Sequence, residues 1–591
     1  MTIPSLQPVV LKFGSSVLGT ALQLPIAVAE IYRHYREGKR VLSVVSAFAG
    51  VTDRLLEEAD LHQGEDPATI AALLSTGEIA SAAQLTFALH EAGIPSRLVD
   101  PRDMDLMATG DRANAALSGV NLSKLKALMT ETPVLVIPGF FAASEDGGLA
   151  LLGRGGSDLT ALYVASKLKA ACFLLKDVDG LYDADPAVAI QPRRFSHADY
   201  ATAEYRGGPL VQPKAIRFAR EQSMVLHVAR VGYPVGTRIS EDPAILSPVP
   251  SPRRIRVALL GLGTVGREVL NYLRQFPDRF EIVSILVRSI PKHVEHGIDS
   301  HLLTEKIDSA FEAQPDIVVE VLPGMDPARL CMDLAGKRGV RVVTANRALI
   351  AAQWDTLRKS LSGQRRRVRY SAAVGGAVPM LKIVEQMALR SPIESLRGVM
   401  NGTCNFVLNR CAAGASFAQA VKSAQERGFA EADCSADLSG LDAARKVEIL
   451  GRVAFGGTPS CNFVSGVDAS VCRPKGPGEQ LRTVLLAAAH RTEVGFGFSI
   501  EPKELPVDDF LAGARGAENR LEIITRSGDT VRLRGLGAGG IPTATAIFAD
   551  LLDHAAVMDT LEVARIAADG APPHARGQLA RDEAPVGPHE I

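Results

Sequence analysis

The stretch GLGTVG, Gly261–Gly266, constrains this chain more than any other feature. It follows the apolar run Ile255-Arg256-Val257-Ala258-Leu259-Leu260 and precedes the helix-like Arg267-Glu268-Val269-Leu270-Asn271-Tyr272-Leu273. Gly261, Gly263 and Gly266 therefore have the G-x-G-x-x-G spacing between a strand and a helix. The first glycine permits a tight turn, the second lets backbone approach a pyrophosphate, and the third packs helix on strand. The helix start at Thr264 and Val265 would face the phosphates. The hexapeptide alone also fits a βα turn without a ligand; its setting favours a dinucleotide. Such a unit usually opens a domain, yet 260 residues precede it.

At 591 residues the chain is too long for one ordinary domain of about 100–200 residues. Lys+Arg 65 against Asp+Glu 66 leaves a net charge of −1, so no basic excess points to nucleic acid or an anionic membrane. The seven cysteines lack C-x-x-C spacing, and reduced thiols without a zinc site or disulfide are expected. The first residues, MTIPSLQPVVLKFGSS, do not read as a signal peptide. No continuous apolar run approaches the ~20 residues that span a bilayer. A cytoplasmic protein acting on small molecules, homo-oligomeric and without a protein-bound metal, is expected.

The segment SEDPAILSPVPSPRR, residues 240–254, holds four prolines and reads as a linker. Before it, strand-like and helix-like runs alternate over 1–239; after it, alternation over 255–370 gives way to an α+β pattern over 371–565. The proline-rich residues 566–591 read as a disordered tail. The two sides of the linker are expected to fold separately.

In the first module, Gly153-Arg154-Gly155-Gly156-Ser157-Asp158 runs directly into an amphipathic helix, and KFGSS, residues 12–16, follows the first strand. Glycine loops at helix N-termini suit phosphate, and a lysine beside them suits phosphoryl transfer. Asp158 as a plain helix cap is the simpler alternative. KFGSSV, VVSAFAGVTD (44–53), STGE (75–78), LGRGGSD and KDVDGLYDADP (176–186), in that order, resemble the aspartate kinase family over about residues 8–239. The resemblance implies an amino-acid-kinase fold that phosphorylates aspartate with ATP and Mg²⁺. It implies that Lys12 and Gly14 serve the transferring phosphoryl group, that Asp158 organises catalytic groups, and that Thr52, Glu78 and Arg154 hold aspartate. Lys176, Asp177, Asp179, Tyr182 and Asp185 would line the nucleotide side. The chain departs from the family pattern by a missing residue after Gly14, by Ala150 and Leu151 for two threonines, by Pro209 for a lysine, and by a short span between Thr52 and Glu78.

In the second module, DIVVEVLPG (316–324) and RVVTANRALI (341–350) read as further strands, and YSAAVGGAVPML (370–381) as a glycine turn. GVMNGTCNFVLN (398–409) precedes a carboxylate-rich stretch in which Asp442 and Lys446 lie four apart on one helix face. From spacing alone an ordinary surface pair is the plainer reading. With GAGGIPTATAIFADLL (537–552), these motifs resemble homoserine dehydrogenase over about 255–565. The resemblance implies a Rossmann dinucleotide-binding domain with an α+β substrate domain, and hydride transfer between a nicotinamide dinucleotide and aspartate semialdehyde. Lys446 would be the acid/base lysine, Asp442 would position it, and Glu431 and Asp437 would hold substrate. Thr344 and Arg347 would face the cofactor. Arg347 stands where the family has lysine, Ser371 where it has glutamate, and Cys434 where it has proline.

Together these features imply a bifunctional aspartate kinase–homoserine dehydrogenase without the intervening ACT regulatory modules. The alternative is an active dehydrogenase carrying a catalytically silent kinase-like interaction or oligomerisation domain. Arg288, about 20 residues past the glycine turn, predicts NADP(H) rather than NAD(H), because a cation there can pair with the 2′-phosphate.

Overall fold

The structure, a computed structural model, describes residues 7–570 apart from 62–65, 187, 190–191, 209, 234–235, 247–252, 362–365, 431–432 and 477. Glu431 and Pro209, the linker core 247–252 and the tail beyond 570 lie outside the described residues.

Three large sheets organise the chain. The first has nine strands, with Pro8–Phe13 at its centre between Ala171–Lys176 and Arg40–Val45. All its pairs are parallel except those of Thr237–Ser240 with Leu226–Arg230 and of Ile245–Leu246 with Phe195–Asp199. A separate four-stranded sheet over residues 107–151 forms a small lobe beside it. The second large sheet has six strands, all parallel, centred on Ile255–Leu260 and Ile317–Glu320. The third has six strands and is antiparallel apart from its edge strand Thr458–Val464. Helix Leu441–Phe455 lies across this sheet. An amino-acid-kinase fold is thus followed by a Rossmann domain and an α+β domain.

Several boundaries differ from the sequence reading. Ile245–Leu246, inside the expected linker, pairs with Phe195–Asp199 as an edge strand, where prolines on either side are tolerated. RVVTANRALI is a strand only over Arg341–Thr344; Asn346 then caps a helix that starts at Arg347, its side chain accepting from Leu349 N–H. The last helix, Gly540–Gly570, runs through 566–570, which were read as tail. Helix Pro67–Glu91 is, by length and composition, apolar enough to cross a membrane. No continuous apolar run marks it in the sequence, because Ser, Thr, Gln and Glu78 interrupt it. Half of its most apolar window is buried, where it packs beside the first sheet.

The expectation of separately folding halves meets a shared core. Val9, Ile31 and Tyr32 of the first domain belong to one continuous apolar cluster with Val269, Tyr272, Phe276, Phe548 and Leu552. Tyr272 stacks on Phe548 at 5.0 Å between centroids, and a Cβ on Gly232 would lie 3.0 Å from Phe276. Fully burying one such side chain contributes about 1.5–3 kcal/mol. A few of them exposed by a cut would offset much of a typical domain stability of about 5–15 kcal/mol.

Two candidate active sites

In the first domain the site is assembled at the ends of two neighbouring strands and the start of a helix. Lys12 lies next to last in Pro8–Phe13, and Lys176 closes Ala171–Lys176. Asp158 lies in the first turn of helix Gly156–Leu168, behind Gly155, whose φ of 80° a side chain would strain. Lys12 Nζ is 2.8 Å from Asp158 Oδ1 and Lys176 Nζ is 3.2 Å from Oδ2, all three side chains being buried. Burial alone would raise the Asp158 pKa, but the two ammonium groups outweigh it and hold the carboxyl below its usual range. Burial and the neighbouring Lys12 lower the Lys176 pKa. Two cations share one carboxylate at a helix N-terminus, so the cluster keeps a net positive charge suited to phosphate. Gly14 leaves room above it: a Cβ there would sit 2.9 Å from Lys12 Nζ.

Thr52 and Glu78 lie on helices Val51–Leu61 and Pro67–Glu91, which approach closely because Gly77 has no side chain to meet Val51. Glu78 is buried, and its Oε2 has no hydrogen-bond partner. Burial pushes its carboxyl up to about 8, against the Ala47 amide and the Lys12 charge. Arg154 is exposed on the turn before the Asp158 helix. The nucleotide-side residues do not all gather here. Asp177 and Asp185 are exposed, whereas Asp179 is buried, 2.9 Å from Arg194 and accepting from Tyr182 at 2.7 Å. Lys214 was missed by sequence reading: its Nζ donates to Asn114 Oδ1 at 2.9 Å and Leu152 O at 2.8 Å, pinning the turn that carries Arg154.

In the second domain the three glycines have distinct roles. Gly261 has φ 105°, and a Cβ on Gly266 would lie 2.1 Å from Gly261 O, so helix Thr264–Gln275 can reach its strand only without that side chain. A Cβ on Gly263 would meet nothing within 4 Å. Gly263 and Thr264 are exposed at the helix N-terminus, and Val265 is half-buried. This open, donor-rich turn fits a pyrophosphate. Arg288 is exposed two residues past strand Phe280–Leu286. Thr344 is buried at the end of its strand, with Oγ1 2.5 Å from Glu320 Oε2. Burial raises the Glu320 carboxyl against that bond. Within DIVVEVLPG no sequence pattern marks Glu320.

Lys446 and Asp442 are one turn apart on Leu441–Phe455, which begins after Gly440 at φ 81°. Lys446 Nζ is 2.7 Å from Asp442 Oδ2 and donates to Met400 O at 2.7 Å. Arg347 Nη1 is 2.5 Å from Asp442 Oδ1. Asn401 Nδ2 donates to Asp442 at 2.9 Å and to Asp437 at 2.7 Å, so one amide ties the two acids together. Burial alone would raise the Asp442 pKa; Lys446 and Arg347 bring it down to about 2. Burial pulls the Lys446 pKa below the ordinary lysine value, Asp442 opposes this, and Arg347 adds to it. A buried lysine that gives up its proton more readily is suited to acid/base work at a carbonyl. Asn401 was not singled out from the sequence, although the NGTCN motif that holds it was; as a helix N-cap accepting from Cys404 N–H it is fixed in place.

A parallel sheet with an open glycine turn, and beyond it a buried lysine of lowered pKa, fit a nicotinamide-dependent oxidoreductase. Comparison with known proteins agrees. Family models match for the amino acid kinase family over residues 7–230, for the homoserine dehydrogenase NAD-binding domain over 261–371, and for homoserine dehydrogenase over 379–552. A homoserine dehydrogenase of Synechocystis is 32% identical over 316 residues, covering 51% of this chain and 73% of its own length. One from Corynebacterium glutamicum is 32% identical over 317 residues, covering 50% and 71%. The crystal structure of a homoserine dehydrogenase from Thiobacillus denitrificans is 32% identical, covers 52% of this chain and 74% of its own, and has a TM-score of 0.47. The chain belongs to the homoserine dehydrogenase family and carries an amino acid kinase domain on its N-terminal side, consistent with a bifunctional aspartate-pathway enzyme.

Proposed function

We propose that the enzyme reduces aspartate semialdehyde to homoserine with NADPH, and that its first domain phosphorylates the β-carboxylate of aspartate with ATP and Mg²⁺. The Lys446–Asp442–Arg347 cluster carries the first half. A bound nicotinamide supplies the hydride; the chain's residues handle the proton and the orientation. Lys446, held by Met400 O and Asp442, presents its ammonium proton to the carbonyl oxygen as that oxygen gains charge, and recovers one afterwards. Asp437, held by Asn401 Nδ2 and Thr403 Oγ1, offers its remaining acceptor capacity to the substrate's amino end. A cytoplasmic location and homo-oligomeric assembly belong to the same proposal, the seven cysteines having no C-x-x-C spacing.

The kinase half rests on Lys12 and Lys176 flanking Asp158. Lys12 steadies charge on the transferring phosphoryl group, while Asp158 keeps both lysines aligned. Full-length protein with ATP, Mg²⁺ and aspartate, trapped with hydroxylamine, should give aspartyl hydroxamate, and Lys12→Met should lower the rate by about 10²–10³. One observation favours the silent-domain alternative: Asp179 is closed off by Arg194 and Tyr182. Absence of hydroxamate from protein that still oxidises homoserine would establish that alternative.

A further inference from the structure

Arg36 lies just past helix Leu24–Tyr35 in the kinase domain, yet its guanidinium is spent wholly on the dehydrogenase. It is 2% exposed. Nη1 donates to Asp550 Oδ1 at 2.9 Å, and Nη2 reaches Asp553 Oδ1 at 2.6 Å and Ala549 O at 2.9 Å. Asp550 and Asp553 are three apart on the final helix, so their charges face the same side and repel unless a cation stands between them.

Both carboxylates also grip one short piece at the junction of the parallel sheet and the substrate domain. Asp553 pairs with Arg369 at 2.7 Å, and Asp550 accepts from Ser371 N at 2.9 Å and Ser371 Oγ at 2.8 Å. The serine matters here, because a glutamate at 371 would repel Asp550 where the hydroxyl donates to it. Ser371 starts the glycine turn, and Gly376 at φ 53° abuts the backbone of Gly537, a Cβ on it lying 3.0 Å from the Gly537 carbonyl. Gly537 in turn backs Asn519, with no room for a side chain between them. Asn519 Nδ2 donates at 3.2 Å to Met400 O, the same carbonyl that receives Lys446 Nζ.

We propose that Arg36, contributed by the kinase domain, is a positioning residue of the dehydrogenase: through Asp550 and Asp553 it fixes the turn 369–379, and with it the wall behind Lys446. The contact is a continuous packed and hydrogen-bonded path, the physical form that coupling between sites requires. Removing the guanidinium leaves the buried Asp550 and the half-buried Asp553 with too little positive charge; Arg369 is held in strand Val368–Arg369, so the turn from Ser371 onward would take up the change. The glycine turn Gly261–Gly266 meets the final helix at its first residue, Gly540 beside Thr264, about three turns before Asp550, so dinucleotide binding should change much less than turnover.

The test is steady-state homoserine oxidation by full-length Arg36→Met and Arg36→Lys. Arg36→Met should lower kcat about tenfold while changing the KM for the dinucleotide less than twofold, and Arg36→Lys, which keeps one charge, should recover part of the loss. Three results would overturn the proposal: folded Arg36→Met with wild-type kcat; kcat and dinucleotide affinity falling together, as general loosening would produce; or Arg36→Lys no better than Arg36→Met. If Arg36→Met does not fold, Ser371→Ala decides, since it removes one bond at the far end of the path. A severalfold drop in kcat with an unchanged Tm supports the proposal, and an unchanged kcat refutes it.

Discussion

Arg347 and Lys446 approach opposite oxygens of one carboxylate, Asp442 Oδ1 at 2.5 Å and Oδ2 at 2.7 Å. The arginine is half-exposed and the lysine buried. A guanidinium stays protonated at every working pH, so of the two cations only Lys446 can exchange a proton. Arg347 therefore acts on the lysine by charge and by its hold on their shared partner.

The pH dependence follows from that division. With Lys446 as the proposed proton acceptor in homoserine oxidation, the rate should rise with pH through the lysine's lowered pKa. Arg347→Met removes a neighbouring positive charge and frees Asp442 for the lysine alone; both changes raise the Lys446 pKa. The rising limb should move to higher pH. Asp442→Asn removes the opposing carboxylate and should move it to lower pH. Profiles of kcat against pH for the three proteins check the sign, and a common midpoint would remove Asp442 and Arg347 from control of the lysine.

Glu78 gives a stability test of the kinase site. Its carboxyl is raised from 4.5 to about 8 by burial, so the folded protein binds a proton there that the unfolded chain has released. For an acid raised in this way, stability falls as pH climbs from the lower value to the higher one. Glu78→Gln, neutral throughout, should escape that loss. The Tm of the variant relative to wild type should rise steadily between pH 5 and pH 8. A constant difference would show that Glu78 ionises normally in the fold.

The glycine turn separates folding from binding. Gly266→Ala would drive a methyl to within 2.1 Å of Gly261 O, and overpacking of this kind costs about 1–3 kcal/mol. Its Tm should fall by several degrees. Gly263→Ala meets no protein atom within 4 Å, so its Tm should hold. If the pyrophosphate lies on that backbone, dinucleotide affinity of Gly263→Ala should drop about tenfold, ~1.4 kcal/mol. Calorimetry and dinucleotide titration on the same two proteins check both halves.

These sites were legible in the sequence where their geometry is local. The Gly261 turn lies within one βα junction, and Asp442 and Lys446 are one helical turn apart, so spacing alone brings each set together. Lys12, Asp158 and Lys176 come from three separate elements and were legible only as ordered motifs. Their meeting depends on the parallel pairing of Pro8–Phe13 with Ala171–Lys176. Arg347 and Asp442 are separated by 95 residues, and Arg36 and Asp550 by 514. No local pattern marks Arg36, which reads as an ordinary basic residue after an amphipathic helix. Its burial comes from the final helix returning across the chain onto the kinase domain, and that packing also joins halves that the proline-rich segment separates in sequence.

Cofactor choice turns on Arg288. Strand Phe280–Leu286 is the second strand of the Rossmann unit, and beyond its end an NAD-preferring site tends to place an acid for the ribose 2′-hydroxyl. Here Arg288 and Ser289 are both exposed, and Ser289 precedes helix Ile290–Val294, which carries Lys292. An exposed guanidinium keeps all its donors available for a phosphate, whereas an acid would repel one. NADPH should therefore be preferred over NADH by a factor on the order of ten, if one phosphate contact supplies ~1.4 kcal/mol. Arg288→Ala should erase most of that preference and leave turnover with NADH little changed, because the contact exists only with the phosphorylated ribose. The measurement is kcat/KM for both dinucleotides in wild type and variant. Equal use of NADH and NADPH by wild type, or an undiminished NADPH preference in Arg288→Ala, would place the selectivity elsewhere.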